Sequence, residues 1–254
     1  MFRLGKRSFL EVINQIFSIS IFYTIYNFFK YHKSPILELF NEFFSYGIYP
    51  RIIQIKKFKI KMYSVDDFST LNLVFCRQDY VNFNNKRIVI DIGANIGTTT
   101  LYWLHNDPHC KVYCFEPSSL NFERLSYNLK KFNKSIILKK LGVDNKNYFT
   151  KLYLTKTGTN SSIFLKNKKK FEIIRVIDIN SILNSLLKKY KYIDILKIDT
   201  EGTELSIIKS IKYNYIKKIK VINIEGKNYN KYLPNFFSFS FKGSASRFKN
   251  TKLL

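Results

Sequence analysis

The sequence predicts an α/β fold: a doubly wound, mostly parallel sheet with an inserted antiparallel pair, preceded by an N-terminal helical extension. Three observations predict it. From Lys86 onward, short β-branched runs such as "RIVIDIG", "KVYCFEP" and "YIDILKIDT" alternate with segments of helical spacing. The first run ends in the glycine-bearing turn "DIGANIG" and opens directly into a helix, as the first βα unit of an open parallel sheet does. Midway, "TKLYLT" and "FEIIRVI" flank the polar loop "KTGTNSSIFLKNKKK" and read as an antiparallel pair.

Taken in order, residues 1–50 read as helical and end at the punctuation of Gly47 and Pro50. Residues 52–62 alternate apolar and basic side chains and suggest one strand, and 66–80 suggest a helix. Residues 1–79 form the expected extension and 80–254 the expected main domain. Within that domain "RIVIDIG" is a strand, 97–106 a helix, "KVYCFEP" a strand and 118–132 a helix. "SIILKKLGV" is the third strand of the series. After the antiparallel pair come a helix over 179–190, the strand "YIDILKIDT", a helix over 202–213 and the strand "KVINIEG". The segment from "FFSFSFKG" alternates like a terminal hairpin, and the last ten residues are expected to be frayed.

The formal charge of +25 is the most unusual bulk property. It attracts phosphate-rich partners or an anionic membrane face in principle. The basic residues are mostly lysine and scattered, without the arginine forks of base or phosphate recognition or any nucleic-acid motif. No specific nucleic-acid partner is expected. Cys76, Cys110 and Cys114 include no Cys-x-x-Cys pair, so a reducing, cytoplasmic setting without disulfides is expected. The grouping of His105, His109 and Cys110 lacks a second ligand cluster, and no metal is expected. Residues 12–29 carry no charge but are interrupted by Asn, Gln, Ser and Thr. They read as an amphipathic helix that packs on the domain or rests on a membrane surface, rather than as a span of roughly 20 apolar residues.

Ligands of such sheets bind beyond the carboxyl ends of the strands, where strand order reverses. Asp91, Gly93, Asn95 and Gly97 occupy that position after the first strand, and Glu116 ends the second. A dinucleotide fingerprint would carry a middle glycine where Asn95 stands. A carboxylate at Asp91 suits a cationic ligand and repels a diphosphate, while Glu116 suits ribose hydroxyls. S-adenosylmethionine, with a sulfonium, an amino group, a ribose and no phosphate, fits both.

The run "ILKIDTEGTE" places Lys197, Asp199, Glu201 and Glu204 between a strand and a helix. Together with "VIDIGANIGTTTLYW", "VYCFEPSS" and "VINIEG" in this order, it resembles the FkbM-type methyltransferases over about residues 80–227. The resemblance implies a class I Rossmann-like methyltransferase fold and S-adenosylmethionine-dependent O-methylation. Carried over by position, it assigns Asp91, Gly93, Asn95, Gly97 and Glu116 to the cofactor, with Asp144 near the adenine. It assigns Asp199 or Glu201 as the base that takes the acceptor's proton, and Glu204 and Glu225 to the acceptor. The implied acceptor is a sugar hydroxyl of a surface glycan or related metabolite. Methylation of a polyketide or lipid hydroxyl, and a non-catalytic membrane-peripheral protein retaining the fold, are the alternatives. Asn180, where the family often carries an acid, marks a departure that bears on acceptor preference.

Overall fold

A computed structural model describes residues 3–4, 7–8, 19–44, 48–80, 87–155, 157–158, 161–164 and 169–254. The chain divides into two compact units, Met1–Gln78 and Asp79–Leu254.

In the first unit the described residues near the N-terminus are not helical: β1 (Arg3–Leu4) pairs antiparallel with β2 (Arg7–Ser8). Residues 12–18 of the expected amphipathic helix lie outside the described residues. Its remainder belongs to α1 (Ile19–Tyr31), which is followed by α2 (Pro35–Phe44). The single strand expected over 52–62 is a hairpin, β3 (Arg51–Ile55) with β4 (Phe58–Met62). Its alternation slips phase at the turn: Ile53 and Ile55 are buried on one strand, then Phe58, Ile60 and Met62 on the other. Lys56, with φ of 50°, makes the turn between them. The next helix, α3 (Val65–Asn72), is capped by the Ser64 side chain accepting from the Asp67 amide and continues as a π-helical turn over Leu73–Arg77.

The second unit holds a seven-stranded sheet in the order β13-β14-β12-β11-β5-β6-β7. Its parallel strands are β5 (Ile88–Ile92), β6 (Lys111–Phe115), β7 (Ile136–Lys139), β11 (Ile193–Ile198) and β12 (Ile219–Glu225). Helices α4 (Thr98–Asn106), α5 (Ser119–Leu129), α6 (Ile179–Lys189), α7 (Glu204–Ser210) and α8 (Tyr213–Ile216) lie between them in sequence. The chain leaves β5 toward β6 on one side and later returns to β11 on the other. The carboxyl ends of β5 and β11 therefore frame the point where strand order reverses.

Two expectations about strands change. "SIILKKLGV" is not one strand, because after β7 the chain makes a tight turn, with the Leu141 amide donating to the Lys139 carbonyl. It then enters β8 (Gly142–Asp144) of a separate three-stranded sheet. There β8 runs parallel to β10 (Phe171–Asp178), which pairs antiparallel with β9 (Tyr148–Tyr153), the inserted pair read from the sequence. The last residues are also not frayed. β14 (Ala245–Asn250) inserts between β12 and β13 (Phe237–Lys242), antiparallel to both. Its Phe248 is buried in the main core, and the Asn250 amide donates to the Ile219 carbonyl at 3.1 Å.

The two faces of the sheet differ in chemistry. Ile90, Leu196, Ile222 and Phe248 stand in one cross-strand row and pack with Leu183 and Ile207 in the main apolar cluster. One residue along, Asp91, Lys197, Asn223 and Arg247 stand in the neighbouring row, whose side chains alternate to the opposite face. One face is thus a hydrophobic core; the other carries a polar row leading to the carboxyl ends. Because Phe248 completes the core at 1% exposure, Phe248→Ala is expected to cost about 3–5 kcal/mol in denaturant unfolding. A loss below about 1 kcal/mol would mean that β14 is dispensable to the core.

Candidate active site

The loop after β5 is strapped to the end of β6. The amides of Gly93 and Ala94 both donate to the Phe115 carbonyl at 3.0 Å, and the Asn95 amide donates to Glu116 Oε2 at 2.9 Å. The other Glu116 oxygen accepts from the Ser118 amide at 3.0 Å. Gly93 has φ of 74°, and a Cβ there would stand 1.6 Å from the Asp199 carbonyl oxygen, so the loop passes against the end of β11 only as glycine. Gly97, with φ of 95°, lets α4 begin against Leu125 and Leu129, 3.0 and 3.1 Å from where its Cβ would be. Asn95 itself adopts a left-handed φ of 47°, a conformation Asn tolerates better than most residues.

Lys197 is the buried charge at the centre. Its ammonium lies 3.2 Å from Asp91 Oδ1 and 3.2 Å from Asp199 Oδ2, and donates to the Gly93 carbonyl at 2.7 Å. Burial alone would drive its proton off, but Asp199 and Asp91 outweigh burial and push its pKa up. Asp91 has no exposed surface, and its second oxygen accepts from Thr100 at 2.8 Å. The sequence places Asp91 at the pocket as a counter-charge to a cationic ligand. The structure places it beneath the loop, as the partner of Lys197.

Asp199 is the more accessible partner. Besides Lys197 it accepts from the Tyr80 hydroxyl at 3.3 Å, and it shares a hydrogen bond with Glu225. Burial raises its pKa, but Lys197 and these hydrogen bonds bring it below the usual carboxylate value. Glu225 is pushed the other way, up to about 9, first by the charge of Asp199 and then by burial. Glu201 is pushed up to about 7 by burial, then by Asp199 and Glu204. Oxygens of Asp199, Glu201 and Glu225 lie within 4.8 Å of one another, a spacing that could hold a metal ion. The shared hydrogen bond between Glu225 and Asp199, and the Lys197 ammonium, already answer part of that negative charge.

Glu201 and Glu225 face an open cleft of roughly 490 Å³ with Glu204, Lys227, Phe241 and Ser244. Phe241 and Ser244 come from the β13–β14 hairpin, and Lys227 lies 4.7 Å from the Phe241 ring centre. Reading the sequence does not find Phe241 and Ser244, because their only signal is alternation in a short terminal hairpin, nor Lys227, one of many scattered lysines. Glu204 lines the cleft, yet its carboxylate is occupied by the loop before α7. It accepts from the Thr200 amide and hydroxyl at 2.7 and 2.8 Å and from the Gly202 amide at 3.0 Å. That makes it an organiser of the Glu201 turn, where Glu201 holds a φ of 59°. Ser162 pins the same turn, its hydroxyl donating to the Glu201 carbonyl at 2.6 Å.

Asp144 is engaged mainly through Oδ1, and its Oδ2 accepts from Tyr148 alone. It accepts from Ser206 at 2.5 Å, Tyr148 at 2.6 Å and the Asn145 amide at 2.7 Å, serving the protein's own donors. Asn180 likewise acts within the fold, donating to the Ser210 carbonyl and accepting from the Lys212 amide.

The residues of the first loop fit S-adenosylmethionine. Residues 91–100 carry no lysine or arginine that would receive a phosphate. Glu116 gathers its acceptor oxygens at the loop's edge, and Asn95 Oδ1 and Thr98 Oγ1 are polar atoms without a protein partner. Asn95, Thr98 and Glu116 would hold the cofactor's ribose and amino acid groups, with Gly93 giving the close approach.

Comparison with known proteins is consistent with this geometry. The model of the methyltransferase FkbM domain matches residues 91–240, more than half of the chain. The chain is 25% identical over 178 residues to methyltransferase sdnD of Sordaria araneosa, covering 58% of this chain and 69% of that protein. It is 22% identical over 156 residues to methyltransferase 1 of Beauveria bassiana (strain ARSEF 2860), covering 52% and 61%. The crystal structure of methyltransferase FkbM from Methylobacillus flagellatus KT superposes with a TM-score of 0.51 at 15% identity, over 70% of this chain. The chain spans 47% of that structure's length.

Burial comes first in raising Glu116, to about 7. A carboxylate accepting ribose hydroxyls must be ionised, so cofactor affinity is expected to fall as pH drops through that value. By titration calorimetry, Glu116→Gln is expected to bind S-adenosylmethionine about tenfold more weakly, about 1.4 kcal/mol, and without that pH step. A Gln variant with unchanged affinity and the same pH profile would remove Glu116 from the pocket.

Proposed function

Because the chain belongs to the FkbM methyltransferase family, we propose that it transfers the methyl group of S-adenosylmethionine to a hydroxyl of a sugar, in a surface glycan or related metabolite. The observation that carries this reading is the carboxylate group Asp199, Glu201 and Glu225 at the carboxyl ends of β11 and β12, with Glu201 and Glu225 facing an open cleft. When bound, the cofactor supplies a methyl group made electrophilic by its sulfonium.

The chain's own residues handle the acceptor. Methyl transfer to a hydroxyl needs the oxygen aligned for in-line attack and a base for its proton. Of the two acids assigned to that role, Glu201 is the better suited: its value of about 7 lies near working pH, where a general base is most effective. Asp199, held low by Lys197, stays ionised and orients the acceptor through a charged hydrogen bond. Glu225 keeps its proton at neutral pH and serves as a donor. A donor, an acceptor and a base close together, beside the Phe241 ring, suit a polyhydroxylated acceptor with an apolar ring face.

The test is turnover of S-adenosylmethionine with a panel of glycosides and simple alcohols, followed by mass spectrometry of the product. Glu201→Gln is expected to lower kcat by about 10²–10⁴-fold while leaving cofactor affinity within about twofold. A chelator is expected to leave turnover unchanged, since Lys197 supplies the cation at Asp199. Unchanged kcat in Glu201→Gln would assign the base elsewhere. Methylation of lipid or polyketide hydroxyls in preference to sugars would overturn the acceptor class.

A further inference from the structure

The first unit carries two helices whose polarity is reversed. On α1 the inward stripe includes Asn27, which is 1% exposed and donates its amide to the Cys76 carbonyl at 2.8 Å. Tyr31, on the same stripe, meets the Phe75 ring edge-on at 5.7 Å between centroids. The outward stripe, at the i, i+3, i+4, i+7 spacing of one helical face, is Phe22, Ile25, Tyr26 and Phe29, exposed by 65, 49, 61 and 50%. Helix α2 repeats the pattern. Glu38 is turned inward to pair with Arg51 at 3.4 Å, while Ile36 and Leu37 are 74 and 55% exposed. A helix facing water places its polar residues outward, so these faces are built for another medium.

The charges beside them indicate which one. Lys30 ends α1, its ammonium 5.7 Å from the Tyr26 ring centre, and Lys33 follows it. The β3–β4 turn, which adds the exposed Lys56 and Lys57, is joined to the end of α1 by the Lys56 amide donating to the Tyr31 carbonyl at 2.9 Å. We propose that the outward faces of α1 and α2 seat this unit on the surface of an anionic lipid bilayer. Phe22, Ile25, Tyr26, Phe29 and Ile36 would enter the acyl boundary, and the lysines would meet lipid phosphates. Charge complementarity selects the bilayer over a second copy of the chain, which would set the same lysines against one another. Among the described residues, no helix is long and apolar enough to cross a membrane.

The test uses the full chain and sedimentation with vesicles of phosphatidylcholine alone or mixed with phosphatidylglycerol. The chain is expected to pellet with the mixed vesicles and far less with phosphatidylcholine, and salt is expected to weaken binding. The combined variant Phe22→Ser, Tyr26→Ser, Phe29→Ser is expected to lose at least about tenfold in partitioning while keeping its circular dichroism and melting temperature. Lys30→Glu with Lys33→Glu is expected to weaken binding to the mixed vesicles only. A chain that stays in solution with both vesicle types, or a serine variant that binds like its parent, overturns the proposal. A dimer in sedimentation velocity that the serine variant converts to monomer, without vesicle binding, assigns the face to a second copy instead.

Discussion

One buried ammonium organises the main domain. Lys197 sits inside the sheet with a carboxylate on either side, Asp91 from the neighbouring strand and Asp199 two residues along its own. A charge so deeply buried is tolerated only when paired and hydrogen-bonded, and Lys197 has both kinds of partner: the two carboxylates and the Gly93 carbonyl. The geometry around it follows. The Gly93 loop is drawn against the end of β11, Asp199 is kept ionised, and the like charge of Asp199 forces a proton onto Glu225. Three neighbouring acids are thus shifted differently: Asp199 down, Glu225 up by the charge of Asp199, and Glu201 up chiefly by burial. By such a pattern a site can separate an anion, a donor and a base.

The sheet's topology decides where this happens. Reversal of strand order between β5 and β11 opens the crevice, and the two faces of the sheet divide the labour. The isoleucine-rich face supplies the burial that holds the strands together. The opposite face places Asp91, Lys197 and Asn223 side by side in register. The late hairpin then walls the cleft: Ser244 donates through its amide and hydroxyl to Asp79, and its carbonyl accepts from the Gly226 amide. The last strands are therefore part of the site as well as of the sheet.

Much of this was legible in the sequence, for physical reasons. Parallel strands buried on both faces read as continuous β-branched runs, and "IVIDIG" and "ILKID" are such runs. The glycine turn and the acids at strand ends show by position alone. What sequence could not supply was direction. Asp91 and Asp199 are both aspartates near the end of a strand, yet one is wholly buried against a lysine and the other is partly exposed and also shares a hydrogen bond with Glu225. Glu204 is an acid at the right place whose oxygens are taken by the amides and hydroxyl of its own loop. The break in "SIILKKLGV" and the phase slip at Lys56 hid because a run of favourable strand residues does not reveal which sheet, or which side of a turn, each half joins. The terminal hairpin shows in "FFSFSFKG", but its second strand reads as frayed because "ASRFKN" is polar, its place secured by pairing rather than by hydrophobic patterning.

The central claim, that Lys197 holds the site together through its two carboxylates, is tested most directly by equilibrium unfolding of a charge-removal series. Lys197→Met alone strands Asp91 and Asp199 as unpaired buried acids and is expected to cost about 3–5 kcal/mol. Adding Asp91→Asn and Asp199→Asn to it is expected to restore most of that loss, since no stranded charge remains. Stability unchanged in Lys197→Met, or a triple variant no more stable than the single one, would contradict the account.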